Sequence, residues 1–166
     1  MHVEVTPTLI DQFRETFEGE VRPGWCWITD GPADTAVFGT IDSLTAEQAF
    51  ASPVEGARSV AAHAAHLRFA LDLTTRRLHG ENPQADWRSS FGVPETTAAG
   101  WESLKQDLRR AYDTILAEFE QNKDLPPQEW VPINLVGLAA MTAHNAYHLG
   151  AIRQIARVVW HGQAPA

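Results

Sequence analysis

The sequence predicts an all-α protein folded as a four-helix bundle. Apolar side chains recur three and four positions apart along three long stretches, at about residues 59–78, 97–121 and 133–160, and along a shorter stretch near the start of the chain. No stretch of more than a few residues alternates as a strand does. With 166 residues and 44% apolar content, the chain suits one well-filled core, so we expect a single domain over residues 1–166.

The first helix is expected to begin at Thr6, a capping residue that is followed by proline, and to end at Gly19. An irregular insertion should follow it, because residues 19–35 combine two tryptophans with several turn formers. Helix is then predicted for residues 33–44, and the segment at residues 45–48 matches a capping box that opens one more short turn.

Loops separate the three long helices. The helix at 59–78 is followed by a loop that carries Trp87 and extends to about Pro94. After the helix at 97–121, Pro126 and Pro127 stop any continuation, and the last helix is expected from about Ile133. The insertion after the first helix is therefore the one irregular part of an otherwise regular bundle.

The charge and residue content exclude several classes of partner. The formal net charge is −8, and lysine and arginine never cluster in the numbers that nucleic-acid binding needs. No apolar run approaches the ~18 residues of a membrane span. Cys26 is the only cysteine, which excludes an intrachain disulfide and fits a reducing interior. We therefore expect a cytoplasmic protein with a small-molecule partner, and neither nucleic-acid nor membrane binding.

Two histidines of the last helix indicate a metal site. His144 and His148 are four residues apart, which places both imidazoles on one side of a helix, about 40° from each other. Two neutral imidazoles aimed into a core need partners, and one metal ion would satisfy both. A pair of core histidines bonded to backbone carbonyls or to Tyr112 is the alternative.

The apolar residues of this helix are predicted to share one broad arc, with His144 near its centre and His148 slightly off it. Its members are Ile133, Val136, Ala140, Met141, Tyr147, Ala151, Ile152, Ile155, Val158 and Val159. Four polar residues are predicted to lie outside the arc: Thr142, Asn145, Arg153 and Arg157.

The second long helix offers two further histidines, His63 and His66. Bundles build metal sites from side chains on facing helices. A helical wheel puts His63 nearer to the apolar seam, whereas Leu73, about 20° from His66, extends the arc far enough to bury His66 as well. Imidazole is the usual ligand of borderline metals, so we expect one divalent ion, zinc or nickel. The residues alone leave open which histidine is the third ligand.

Two segments resemble the ligand-bearing helices of the DinB/YfiT-like metalloenzymes: Ser59 followed seven residues later by His66-Leu67, and the run at residues 144–154. The order of elements agrees over nearly the whole chain. The resemblance implies an up-down-down-up bundle that binds one divalent metal through His66, His144 and His148. Relatives in this family include thiol transferases that use bacillithiol and maleylpyruvate isomerases that use mycothiol.

Three neutral histidines leave coordination positions open, as in catalytic rather than structural sites. An ion held in this way can lower the pKa of a bound water or thiol and so generate a nucleophile near neutral pH. The favoured hypothesis is a metal-dependent enzyme of the thiol-conjugate transferase or hydrolase type, acting on a small molecule such as a low-molecular-weight thiol. The alternatives are a metal-binding module without catalysis and a metal-free bundle that acts through dimerisation.

Several residues near the predicted site have expected roles. His63 would be a neighbour of the ligands, either packed against the seam or hydrogen-bonded to one of them. In the loop after the second helix, Glu81 and Asp86 are placed to reach the mouth of the site, and Trp87 either packs or lines a pocket. Asp72 belongs to the solvated side of its helix.

A homodimer is also expected. Six tryptophans are many for one small core, and aromatic residues are enriched at protein interfaces. The predicted dimer packs faces that include Trp25, Trp27 and Trp160.

Overall fold

The computed structural model describes residues 5–126, 129 and 135–161; for residues 135 and 161 it describes the backbone only. Its six α-helices are α1 (Val5–Glu18), α2 (Val37–Asp42), α3 (Ala46–Phe50), α4 (Val60–Leu78), α5 (Ala98–Asn122) and α6 (Leu135–His161). Two 3₁₀ turns occupy Ala33–Thr35 and Ser89–Phe91. Within these ranges there is no β-strand, only an isolated bridge between Arg22 and Trp25, so the predicted all-α class is confirmed. None of the described helices is long and apolar enough to cross a membrane.

Local capping chemistry explains where α3, α4 and α5 begin. The side chains of Ser59 and Thr97 each accept a hydrogen bond from a backbone N–H in the first turn of α4 and α5, at 3.2 and 3.1 Å. Thr45 and Gln48 form the predicted capping box at the start of α3. The expected start of the last helix, Ile133, lies outside the described residues.

The four longest helices enclose the core. α4 packs along α5 and α6, and α1 packs along α6 and α5, so each contacts two of the others. Large, fully buried side chains come from all four helices: Phe13, Phe17, Leu67, Leu71, Trp101, Leu108, Ile115, Phe119, Leu138 and Leu149. Burial of these apolar surfaces is the main force that holds α4 against α6, the two helices that carry the clustered histidines.

The insertion after α1 is held in place by a buried carboxylate. Glu15 is 2% exposed and accepts hydrogen bonds from the backbone N–H groups of Trp27, Ile28 and Thr29 at 2.7–2.9 Å. The Thr29 hydroxyl donates a fourth bond at 3.2 Å. Because a buried carboxylate needs such partners, one side chain of α1 determines the path of the loop that follows.

The buried face of α6 differs from the predicted arc, which is wrong in part. Its buried side chains are Leu138, Thr142, Asn145, His148, Leu149, Ile152, Ala156 and Val159. Four residues predicted within the arc are exposed instead: Val136, Ala140, Tyr147 and Val158. Thr142 can face the core because its hydroxyl donates to the Leu138 carbonyl at 3.0 Å, so this polar group stays paired when buried.

The two histidines of α6 therefore lie on the flank of the buried face rather than at its centre. His148 is about 80° and His144 about 120° round the helix from Leu138. This flank faces α4, so the shift from the predicted arc turns the histidine pair away from the middle of the core and towards the neighbouring helix.

Candidate metal centre

Two helices bring three histidine rings together. His66 projects from α4, and His144 and His148 project from α6. The Nε2 atom of His144 lies 3.0 Å from that of His66 and 3.1 Å from that of His148. His66 and His148 are 5% and 4% exposed, and His144 is half-buried. The structure thus gathers the three residues that the family resemblance implies, each with a ring nitrogen turned towards the others.

Ser90, in the 3₁₀ turn after α4, determines which nitrogen of His66 carries the proton. The Ser90 hydroxyl donates to the backbone carbonyl of Trp87 at 2.7 Å, and its Oγ lies 2.6 Å from Nδ1 of His66. Because the hydroxyl proton is committed to Trp87, the oxygen must accept, and Nδ1 of His66 is assigned the proton. The Nε2 lone pair of His66 is then available on the side that faces the other two histidines.

His63 lies beside the cluster and contacts it through one member only. Its Nδ1 is 2.9 Å from Nδ1 of His148, on the side of that ring away from the shared nitrogens. Of the two roles left open for His63, hydrogen bonding to a clustered histidine is the one observed. Both histidines of α4 are buried, so burial alone does not distinguish them.

Phe91 forms one wall of the cluster. Its ring stacks on His66, with ring centroids 4.0 Å apart and planes 8° apart, and meets the His63 ring edge-on at 5.8 Å. The guanidinium of Arg58 covers the Phe91 ring at 3.4 Å from its centroid. Trp87 lies 5.9 Å from the His66 ring and is half exposed. These aromatic rings shield one face of His66 from water.

Burial keeps the imidazoles neutral near pH 7. Burial, together with the neighbouring imidazoles and Arg58, lowers the pKa of His66 to about 4 and that of His148 to about 3. Burial also lowers the pKa of His63 and of His144. None of the described carboxylates influences these four pKa values. Neutral imidazole is the form that binds a metal ion, so the cluster is in its ligand form at neutral pH.

The acidic residues considered for this site are engaged elsewhere. Glu81 pairs with Arg76 and Asp72 pairs with Arg68, each at 2.7 Å. Asp86 accepts two backbone hydrogen bonds at 3.1 Å that begin the 3₁₀ turn. The structure therefore brings none of these carboxylates to the histidines, although Asp86 helps to form the turn that carries Ser90.

A sizeable cavity lies away from the histidines. It has a volume of about 650 Å³ and lies between α4 and α5, where Arg68, Asp72, Asp107 and Arg110 line it. Its charged side chains already pair with one another, Arg68 with Asp72 and Arg110 with Asp107. The chemistry of the molecule is therefore better judged from its histidines than from this cavity.

The donor set fits a borderline divalent metal. Imidazole nitrogens bonded to one zinc at 2.0–2.1 Å would lie roughly 3.3 Å apart. This is close to the 3.0 and 3.1 Å that separate Nε2 of His144 from the other two nitrogens, and all three lie within 4.8 Å of one another. Two of the rings have their other nitrogen held by a partner, Ser90 or His63, as ligating histidines usually do. No fourth histidine, cysteine or acidic side chain joins the group among the described residues. The described residues thus define a helical protein with a candidate three-histidine metal centre that has open coordination positions.

The chain belongs to the DinB superfamily. Residues 33–152, more than two thirds of the chain, match the model of that family. The match begins just before α2, reaches well into α6 and includes all three clustered histidines. The family assignment made from the sequence is therefore confirmed. No curated protein and no solved structure matches the chain.

Proposed function

We propose that the protein is a metal-dependent enzyme, of the thiol-conjugate transferase or hydrolase type, that uses one zinc or nickel ion to activate a small molecule. His66, His144 and His148 would hold the ion. The convergence of their three neutral nitrogens from two helices is the observation that carries the proposal. A structural site would be closed by a fourth protein ligand, and the described residues offer none.

The electrostatics of the site favour an anionic partner. A divalent ion supplies one chemical effect, a lowered pKa of a water or thiol bound to it. The imidazoles are neutral and none of the described carboxylates influences them, so no side chain among the described residues offsets the charge of an ion. Arg58 adds a further positive charge nearby. A thiolate or another small anion is the partner that such a field attracts. Phe91 keeps water from one side of His66, which strengthens these interactions.

Elemental analysis of protein purified without chelators tests the metal assignment. Near-stoichiometric zinc or nickel is expected, and His66→Ala, His144→Ala and His148→Ala should each lose most of it. His79→Ala is the matched control, because His79 ends α4 and contacts Glu118 at 2.9 Å, outside the cluster. Metal content that is unchanged in all three cluster variants would refute the assignment.

Cobalt substitution tests whether coordination positions are open. The visible spectrum of the cobalt protein should change when a thiol or azide is added, because these ligands would bind the ion directly. A spectrum that responds to neither would contradict the catalytic proposal and favour an ion that only stabilises the bundle.

We also propose that the four long helices run up-down-down-up. Contacts along the helices support these directions. His79 contacts Glu118 near the ends of α4 and α5, as expected if these two helices are parallel. Phe13 packs on Phe119 and Phe17 on Tyr112, which fits antiparallel α1 and α5. His63 contacts His148 and His66 contacts His144, which fits antiparallel α4 and α6. A crystal structure would test this order directly.

A homodimer through the exposed tryptophans is a further proposal. Trp25, Trp27 and Trp160 are 54%, 75% and 44% exposed. An ion pair between Arg153 and Asp30 places the loop of the first two tryptophans beside the end of α6 that carries the third. Light scattering at micromolar concentration should give about twice the chain mass of 18.4 kDa. The mass of a single chain would refute the dimer.

A further inference from the structure

We propose that His63 is a positioning residue for the metal centre. In this proposal Nδ1 of His63 accepts a hydrogen bond from Nδ1–H of His148, and so keeps Nε2 of His148 without a proton and turned towards the other ligands. The two Nδ1 atoms are 2.9 Å apart, and both residues are buried. A contact of this length between neutral imidazoles needs one proton between them, so one ring donates and the other accepts. The inference rests on the proposed metal site.

The rest of the network decides the direction of this bond in the metal-free protein. Ser90 leaves Nε2 of His66 without a proton. The 3.0 Å contact between His66 and His144 therefore needs a proton that only Nε2 of His144 can supply. Once protonated, that nitrogen cannot accept, so Nε2 of His148, 3.1 Å away, must also be without a proton. His148 then carries its proton on Nδ1 and donates it to His63.

This arrangement prepares two ligands before any ion binds. The tautomer that Ser90 imposes on His66, and the one that His144 and His63 together favour on His148, are already those that present Nε2 to a metal. Only His144 has to move its proton to its other ring nitrogen. This role gives a reason for the presence of a second buried histidine on α4, His63, about one turn before His66.

Nitrogen-15 NMR of the histidine rings in the metal-free protein tests the inference without relying on metal. In the wild type, His148 should show a protonated Nδ1 and an unprotonated Nε2. His63→Phe keeps a buried ring but removes the acceptor of the Nδ1 proton of His148. His148 should then shift in part towards protonated Nε2, the form that a free histidine side chain prefers, and lose its contact with Nε2 of His144 to that extent. His63→Asn can place an amide oxygen near the position of Nδ1, and it should restore the wild-type tautomer.

Zinc affinity, measured by competition with a chromophoric chelator, provides the second readout. His63→Phe should weaken binding about 10- to 100-fold, whereas His63→Asn should retain most of the affinity and His79→Phe, at the end of the same helix, should bind as the wild type does. An unchanged His148 tautomer in His63→Phe, or equal losses in both His63 variants, would overturn the inference. A wild type that binds no metal would instead overturn the proposed function, and the NMR result would still decide the direction of the bond.

Discussion

Replacing Ser90 with alanine should weaken zinc binding by roughly 10- to 100-fold. Ser90 is buried and joins His66 to the Trp87 carbonyl through contacts of 2.6 and 2.7 Å. Without the hydroxyl, the proton on Nδ1 of His66 has no acceptor and is free to move to Nε2, where it would block the metal. A buried donor left unpaired costs about 1–3 kcal/mol. The expected loss of affinity corresponds to about 1.4–2.8 kcal/mol, which is the same range.

A chelator competition titration at pH 7.5 measures this effect. Ser89→Ala is the matched control, because Ser89 is exposed and its hydroxyl bonds to Asp86 rather than to a histidine, donating to the Asp86 carbonyl at 3.2 Å. It should bind zinc as the wild type does. Wild-type affinity in Ser90→Ala, with the fold intact by circular dichroism, would refute the role assigned to the hydroxyl.

The metal-free protein should lose stability as the pH falls below about 6.5. In the folded protein the pKa of His66 is about 4 and that of His148 about 3, whereas unfolded imidazoles take up protons from about pH 6.5 downwards. The free energy of unfolding should therefore fall progressively between about pH 6.5 and 3, and at pH 5 it should be lower than at pH 7.5 by about 2 kcal/mol for each of the two histidines. Equal stabilities in urea at these two pH values would contradict this. Gly39→Ala should destabilise the fold by roughly 1–3 kcal/mol or more, because its Cβ would lie 2.1 Å from a backbone carbonyl oxygen. Gly150→Ala, on the exposed side of α6 with nothing near its added Cβ, should instead stabilise the protein by up to about 1 kcal/mol. A midpoint of thermal unfolding that shifts in the same direction in both glycine variants would be inconsistent with these contacts. Glu15→Ala should lower the free energy of unfolding by several kcal/mol, because three backbone donors lose their acceptor, and a urea midpoint equal to that of the wild type would count against it.

Local chemistry made the starts of α4 and α5 predictable, whereas burial depended on tertiary partners. Ser59 and Thr97 are capping residues whose effect is confined to one turn, so their positions alone indicate where α4 and α5 begin. The face of α6 could not be read in the same way. Thr142 and Asn145 were predicted to lie outside the apolar arc, yet both are buried, and the Thr142 hydroxyl is paired within its own helix.

The histidine spacing on α6 was readable for a similar reason, since four residues make about one helical turn. The choice between His63 and His66 as the third ligand could not be predicted from the residues of α4, because they allowed either. The family resemblance was needed to favour His66. Ser90 and Phe91 were missed altogether. They lie in a short turn whose approach to His66 depends on how the loop folds back, and no periodicity in the sequence signals such a contact.

The family match starts at residue 33, but the fold does not. Phe13 and Phe17 of α1 are fully buried, and at the other end Ala156 and Val159 lie beyond the last matched residue and are also buried. A fragment cut to residues 33–152 would leave the apolar surfaces that these side chains cover facing water, and it would lose the carboxylate that holds the insertion. The segment that matches the family model is therefore shorter than the unit that folds cooperatively. An expression fragment limited to residues 33–152 should aggregate.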